Sequence, residues 1–257
     1  MNSLPDLARA VTVSLRSYQQ RSVHLAREAY AGGARSVVLV LPCGAGKTVV
    51  AAAIIVLVLA RGGAALFLVD RIELLTQAVA KLAAAGVTDV RVICAGVDDG
   101  NPGARVTVAM IPTLRGTKWL DRLPHASFVV VDECHGVLAK THHAIVQRYP
   151  GAKILGLTAT PARGDGQGLD NAFDMLVVGA TVRELQALGH LVPLLTMRPK
   201  GCSEPLASGR LAMSPLEAYR QHANGRRAIV FATRVVDAER YAAEMTAGGV
   251  PAGCVHG

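Results

Sequence analysis

The sequence predicts an α/β fold in which a mostly parallel sheet lies between helices. Three observations carry this. Short apolar, β-branched runs alternate with stretches of helical periodicity. A glycine-rich loop, "PCGAGKT", joins the first of these runs to the next helical stretch. Hydrophobic residues make up 51% of the 257 residues and aromatics only 4%, so a substantial core must be filled by Leu, Val, Ile and Ala.

The elements follow in order. "SVVLVL" (36–41) is uniformly apolar and predicts a strand buried on both faces. The apolar run after the glycines, "VVAAAIIVLVLA" (49–60), predicts a buried helix closed by "RGG". "AALFLVD" (64–70) is a second strand. "RIELLTQAVAKLAAAG" (71–86) has apolar residues at helical spacing and ends in glycine. Further strands are expected at 90–94, 105–110, 127–132 and 153–159, and a closing helix at 181–192. A segment with Pro, Gly and Ser then reads as a linker. After it, "SPLEAYRQHANG" predicts a helix opened by a Ser cap and Pro. "RAIVFAT" (227–233) predicts a strand, 234–249 a helix, and "PAGCVHG" the start of another strand. The expected organisation is a domain over 1–197, a linker over 198–213 and a partial second domain over 214–257.

Composition narrows the function classes. The formal net charge is +8 and the pI about 9.6, which suits a polyanionic partner such as nucleic acid. The five cysteines (Cys43, Cys94, Cys134, Cys202, Cys254) form no C-x-x-C pair, against a zinc site or a disulfide framework and in keeping with a reducing cytoplasm. The N-terminus is polar and unlike a signal peptide, and the 49–60 run is too short to span a bilayer, so no membrane partner is expected.

The chemistry concentrates at strand ends. In "CGAGKT", Gly44 and Gly46 allow close backbone approach, and the amides of Cys43, Gly44, Ala45, Gly46, Lys47 and Thr48 surround a helix N-terminus suited to a phosphate. Lys47 would reach the terminal phosphates, and the Thr48 hydroxyl would hold Mg²⁺. Leu41 stands where the full eight-residue pattern has glycine, and a glycine turn with a chance lysine is the alternative reading. In "FVVVDECHG", Asp132 and Glu133 end an apolar strand. They supply a metal holder and a group to orient and deprotonate an attacking water, where an isolated Asp-Glu pair would be a solvated turn. Cys134 and His135 are adjacent, poor spacing for zinc, so His135 reads as a polar relay. Thr158 and Thr160 in "GLTATP" offer hydroxyls at the same sheet edge and a link to a neighbouring domain, unless this is an ordinary strand exit.

Taken together, "PCGAGKT", "VDECHG" and "GLTATP" resemble motifs I, II and III of superfamily 2 helicases of the DEAD/DEAH-box type. "LRSYQQ" (15–20) is similar to the family's Arg-x-x-Gln segment, which maps to Arg16 and Gln19; there the Gln contacts adenine. "LVDRIELLTQ" and "VTVAMIPTLRG" resemble motifs Ia and Ib, making Arg71 and Thr113 the expected contacts to a nucleic-acid backbone. For Arg71, a solvated first-turn residue is the alternative. Within the superfamily the chain is similar to the RadD branch of bacterial DNA-repair helicases.

This resemblance implies a RecA-like P-loop domain plus a fragment of a second one, with "AIVFAT" as motif IV. It implies ATP and Mg²⁺ as cofactors, Lys47, Asp132 and Glu133 as catalytic residues, and Thr48 and Asp132 as metal holders. The coupled activity would be helicase or translocase action on nucleic acid, DNA ahead of RNA, through sequence-independent backbone contacts. The chain stops at "CVHG", before motifs V and VI, so a truncated motor is expected. The other expectation is a fragment that binds ATP and nucleic acid without turning over. A small-molecule kinase with the same phosphate loop is disfavoured by "TATP" and "DECH".

Overall fold

The computed structural model describes residues 14–114, 123–134, 145–161, 169, 173–194 and 213–255. His135 and nearly all of the expected linker lie outside these. The chain divides into two compact units, Met1–Pro193 and Leu194–Gly257.

The first unit opens with helix α1 (Ser17–Ala31). Then follow β1 (Ser36–Val40), α2 (Lys47–Ala60), β2 (Ala65–Val69), α3 (Ile72–Ala84), β3 (Val90–Cys94) and β4 (Val97–Asp99). After these come β5 (Val106–Met110), the short α4 (Ile111–Leu114), β6 (Phe128–Val131), β7 (Lys153–Thr158), β8 (Met175–Val178) and α5 (Val182–Ala187). The eight strands form one sheet in the order β4-β3-β5-β2-β6-β7-β1-β8. Every pairing is parallel except β3 with β4, a short antiparallel return at the edge. The α/β expectation is met.

Burial explains why the strands read as continuous apolar runs. Alternate residues point to opposite faces, and both faces are covered. Val37 and Leu39 of β1 join Phe67, Val130 and Leu155 in a layer with α1, α2 and α3. Val38 and Val40 join Leu66, Leu68, Val129 and Val131 in the other, with Ile111, Leu114, Ile145 and Phe173. Each fully buried Leu, Val or Phe contributes about 1.5–3 kcal/mol of transfer free energy. Val50 to Ile55 of α2 are all buried, so the helix needs no polar face over that length.

Four elements went unread in the sequence: α1, β4, α4 and β8. The last is a four-residue edge strand with three exposed residues, beyond the reach of a periodicity argument.

The second unit contains α6 (Pro215–His222) and α7 (Val235–Ala247). Ser214 caps α6: its hydroxyl accepts from the Glu217 amide (3.2 Å), and the Glu217 carboxylate accepts from the Ser214 amide (3.1 Å). Pro215 sits at the first helical position. The expected strand at 227–233 is corrected: the structure assigns no strand there, nor in the described part of "PAGCVHG". Ile229 is 81% and Phe231 90% exposed. A strand exists only by pairing its amides and carbonyls with a neighbour, and the described residues of this unit contain none.

Candidate nucleotide site

A parallel sheet sends the carboxyl ends of its strands to one edge, and the predicted site residues gather there. β1 lies beside β7, and β7 beside β6, so the loop after β1 and the acidic pair after β6 flank the exit of β7. Val40 pairs with Thr158 and Val131 with Gly156.

The loop after β1 is held at both ends. The Leu41 amide donates to the Thr158 carbonyl (3.0 Å), and the Ala45 amide to the Pro42 carbonyl (3.1 Å). Gly44 (φ +78°) and Gly46 (φ +80°) adopt the left-handed conformation that side chains resist. A side chain at Gly46 would be strained by this backbone and would also force Gln19 Nε2, 2.7 Å from the added Cβ, to shift. Gly46 caps α2, whose first two residues are Lys47 and Thr48. A loop of small residues opening a helix N-terminus is a cradle for an anion.

Lys47 and Glu133 meet across this edge, with Nζ 3.9 Å from Oε1. Asp132 is 4% exposed, and its carboxylate accepts from the Glu133 amide at 3.0 Å. Burial pushes the Asp132 carboxyl above the ordinary carboxylate range; the Glu133 and Asp70 charges add to this, while the Glu133 amide and Lys47 oppose it. Glu133 itself has φ +46°, strained for a residue with a side chain. Cys134 is fully buried, its thiol pushed up to about 12 chiefly by burial, and therefore unreactive near neutrality. Gly156 makes room for it: a Cβ there would lie 2.7 Å from Cys134 Sγ.

The residues present fit Mg²⁺ bound to a nucleotide. Asp132 is a desolvated carboxylate, and Thr48 carries a hydroxyl at the same edge; both are hard oxygen donors. Among the described residues no cluster of three or more His, Cys, Asp or Glu forms a separate metal site.

Gln19 is at the loop, 6% exposed, but both ends of its amide are engaged by protein: Oε1 accepts from the Arg16 amide (3.0 Å) and Nε2 donates to the Ala45 carbonyl (3.0 Å). The Thr158 hydroxyl is used within its own exit turn, donating to the Thr160 carbonyl (2.9 Å) and accepting from the Thr160 amide (3.1 Å). Arg71 caps α3 and is exposed. Thr113, in α4, accepts from the Ala95 amide (2.9 Å). Cys43 is exposed beside the loop.

Two features of the site were missed in the sequence. Tyr18 donates its hydroxyl to the Ala45 carbonyl (2.9 Å), and Leu191, past the end of α5, packs beside Gly44. The signal for Tyr18 was its place next to Gln19 in the first turn of a helix that was not recognised.

The family of the type III restriction enzyme res subunit matches residues 12–163, more than half of the chain. The chain belongs to this family. Membership implies a helicase-like, nucleotide-binding domain that uses ATP. A curated relative, a 51.5 kDa protein of Lactococcus phage (isolate 7-9), is 30% identical over 227 residues, covering 82% of this chain and 47% of the relative. The chain thus spans about half the length of the curated relative it matches. Among solved structures it is similar to the UvsW helicase from bacteriophage T4 (TM-score 0.54, 19% identity, 68% of this chain and 67% of that one). It is also similar to a nuclease-deletion mutant of the Type ISP restriction-modification enzyme LlaGI, in complex with a DNA substrate mimic (TM-score 0.56, 17% identity, 69% and 21%). These likenesses show an α/β fold similar to that of RecA-like helicase domains. No described helix is long and apolar enough to cross a membrane.

Proposed function

We propose that this res-subunit family member is the ATP-binding part of a DNA helicase or translocase, of the RadD-like repair group, and that its first unit is the motor domain carrying the nucleotide. The observation that carries this reading is Lys47 within 3.9 Å of Glu133 at the mouth of a left-handed glycine loop, with buried Asp132 alongside.

Bound Mg²⁺-ATP supplies the scissile phosphoanhydride and a charge-neutralising cation. The chain's residues do the rest. The loop amides other than that of Ala45, which the Pro42 carbonyl holds, and the Lys47 ammonium bind the polyphosphate. Thr48 and Asp132 hold the cation. Glu133 orients the attacking water and takes its proton. Beyond its bonds to the Arg16 amide and the Ala45 carbonyl, the Gln19 amide has one further N–H and one further oxygen lone pair, side by side. That pattern complements adenine, with its amino donor and N7 acceptor, and opposes guanine, which offers two acceptors. Thr158, Thr160 and His135 couple the nucleotide site to the second domain. Arg71 and Thr113 contact the DNA backbone, which carries no sequence information and so suits a stepping motor. The basic net charge of +8 supports a nucleic-acid partner.

The assay is ATP hydrolysis with and without single- and double-stranded DNA, on these 257 residues and on a longer relative. DNA-stimulated turnover by the longer protein is expected. No stimulation by any nucleic acid would remove the motor reading. A second reading is a module that binds ATP and nucleic acid without turnover. Nucleotide-dependent thermal stabilisation with negligible hydrolysis supports it.

A further inference from the structure

We propose that Tyr18 is a positioning residue for the phosphate loop: its hydroxyl, braced by His190, sets the peptide between Ala45 and Gly46 so that its amide faces the polyphosphate. The inference rests on the ATP reading above and deepens it.

Two donors converge on this peptide, and a third supports one of them. The Tyr18 hydroxyl donates to the Ala45 carbonyl at 2.9 Å, and Gln19 Nε2 donates to the same oxygen at 3.0 Å. Arg16 Nη1 in turn donates to the Tyr18 hydroxyl at 3.4 Å. Ala45 is 1% exposed, so this carbonyl is drawn into the protein rather than towards solvent. A trans peptide is planar, with its C=O and N–H pointing in opposite directions. Pinning the Ala45 oxygen inward therefore aims the Gly46 N–H outward, to the concave side of the loop where an anion sits.

The brace comes from the far end of the unit. The rings of Tyr18 and His190 are 5.4 Å apart and tilted at 51°, within the range of favourable ring pairs. The next residue, Leu191, reaches to within 3.4 Å of where a Gly44 side chain would begin. The turn after α5 thus supports both the residue that pins the loop and the loop itself.

The hydroxyl is separable from the fold. Phenylalanine keeps the buried ring and its contact with His190. The Ala45 carbonyl retains Gln19 as a donor, so no buried acceptor is orphaned. Losing the hydroxyl should then be felt in ligand binding and hardly in folding.

The test is a titration of a fluorescent ATP analogue with Mg²⁺, alongside melting without nucleotide, for the wild type and for Tyr18→Phe, His190→Ala and Lys47→Ala. Tyr18→Phe is expected to bind about tenfold more weakly, the effect of one mispositioned hydrogen bond to a charged ligand, with its nucleotide-free melting within about 2 °C of the wild type. His190→Ala should weaken binding in the same direction. Lys47→Ala should abolish it. Equal binding by the wild type and Tyr18→Phe overturns the inference and leaves the ATP reading intact. So does a loss matched by an equal fall in nucleotide-free stability, which marks a purely structural tyrosine. A wild type that binds no better than Lys47→Ala removes the ATP reading, and the role of Tyr18 with it.

Discussion

Lys47 Nζ lies 3.9 Å from Glu133 Oε1, a contact between the residue after the glycine loop and the residue after the sheet's most buried carboxylate. The lysine and glutamate side chains are 11% and 35% exposed, so the pair is partly screened from water. On the ATP reading proposed above, a polyphosphate entering this space would replace Glu133 as the partner of Lys47 and leave Glu133 to a water.

Glu133→Gln is expected to keep nucleotide binding while cutting any turnover by about 10²–10⁴-fold, the usual share of a general base. Lys47→Ala loses both. Thermal shift with Mg²⁺-ATP separates the two variants: a shift persists in the first and vanishes in the second.

Asp132→Asn is expected to raise the melting temperature of the nucleotide-free protein by about 2–4 °C. The folded protein holds the Asp132 proton more tightly than the unfolded chain does, because burial raises the carboxyl. Its contribution is thus favourable at low pH and is lost as pH rises through the window above the ordinary carboxylate value. Asparagine removes the buried charge and keeps an oxygen for the Glu133 amide. Melting curves at neutral and acidic pH check this: the advantage of Asp132→Asn should shrink as pH falls. Its Mg²⁺-dependent stabilisation by nucleotide should be absent.

Gly46→Ala should destabilise the fold by about 1–3 kcal/mol and abolish nucleotide binding, since the left-handed backbone and the Gln19 amide both exclude a Cβ. Adding Gln19→Ala relieves the collision and not the backbone strain. Denaturant unfolding of the double variant should therefore recover only part of the loss due to Gly46→Ala.

Gln19→Glu sets a carboxylate oxygen against the Ala45 carbonyl, now 3.0 Å from an amide donor. Binding of ATP should fall by at least about tenfold, with the preference over GTP lost. Competition titrations with the two nucleotides measure both effects.

Phe231, 90% exposed in the apolar run "AIVF", gives the second unit a β-prone surface. Concentration-dependent self-association is expected, and Phe231→Asp should reduce it in light scattering. An equally associating variant would place the sticky surface elsewhere.

Legibility differed by element for physical reasons. β2, predicted at 64–70, is Ala65–Val69, because "ALFLV" is buried along its whole length and has no polar residue to blur its ends. The placement of the glycine loop and of Asp132-Glu133 at strand exits was legible because each directly follows an apolar run that reads as a strand. α1 was not read as a helix, because its sequence "SYQQRSVHLAREAYA" mixes polar and apolar residues around a narrow buried stripe. The engagement of Gln19 with Ala45 was hidden too: it joins residues 26 positions apart and depends on the docking of that unread helix. The run at 227–233 misled because strand propensity describes a segment's fitness for a sheet and says nothing of whether a partner strand is at hand.

Parallel strands also leave an opposite rim, formed by the connections that enter them. Gly151, just before β7, belongs to this rim, is exposed, and would meet open space if given a side chain. It is therefore an anchoring point for a dye or a surface tether: a probe fixed there reports on the molecule from the side away from the loop, without touching the groups that would handle phosphate.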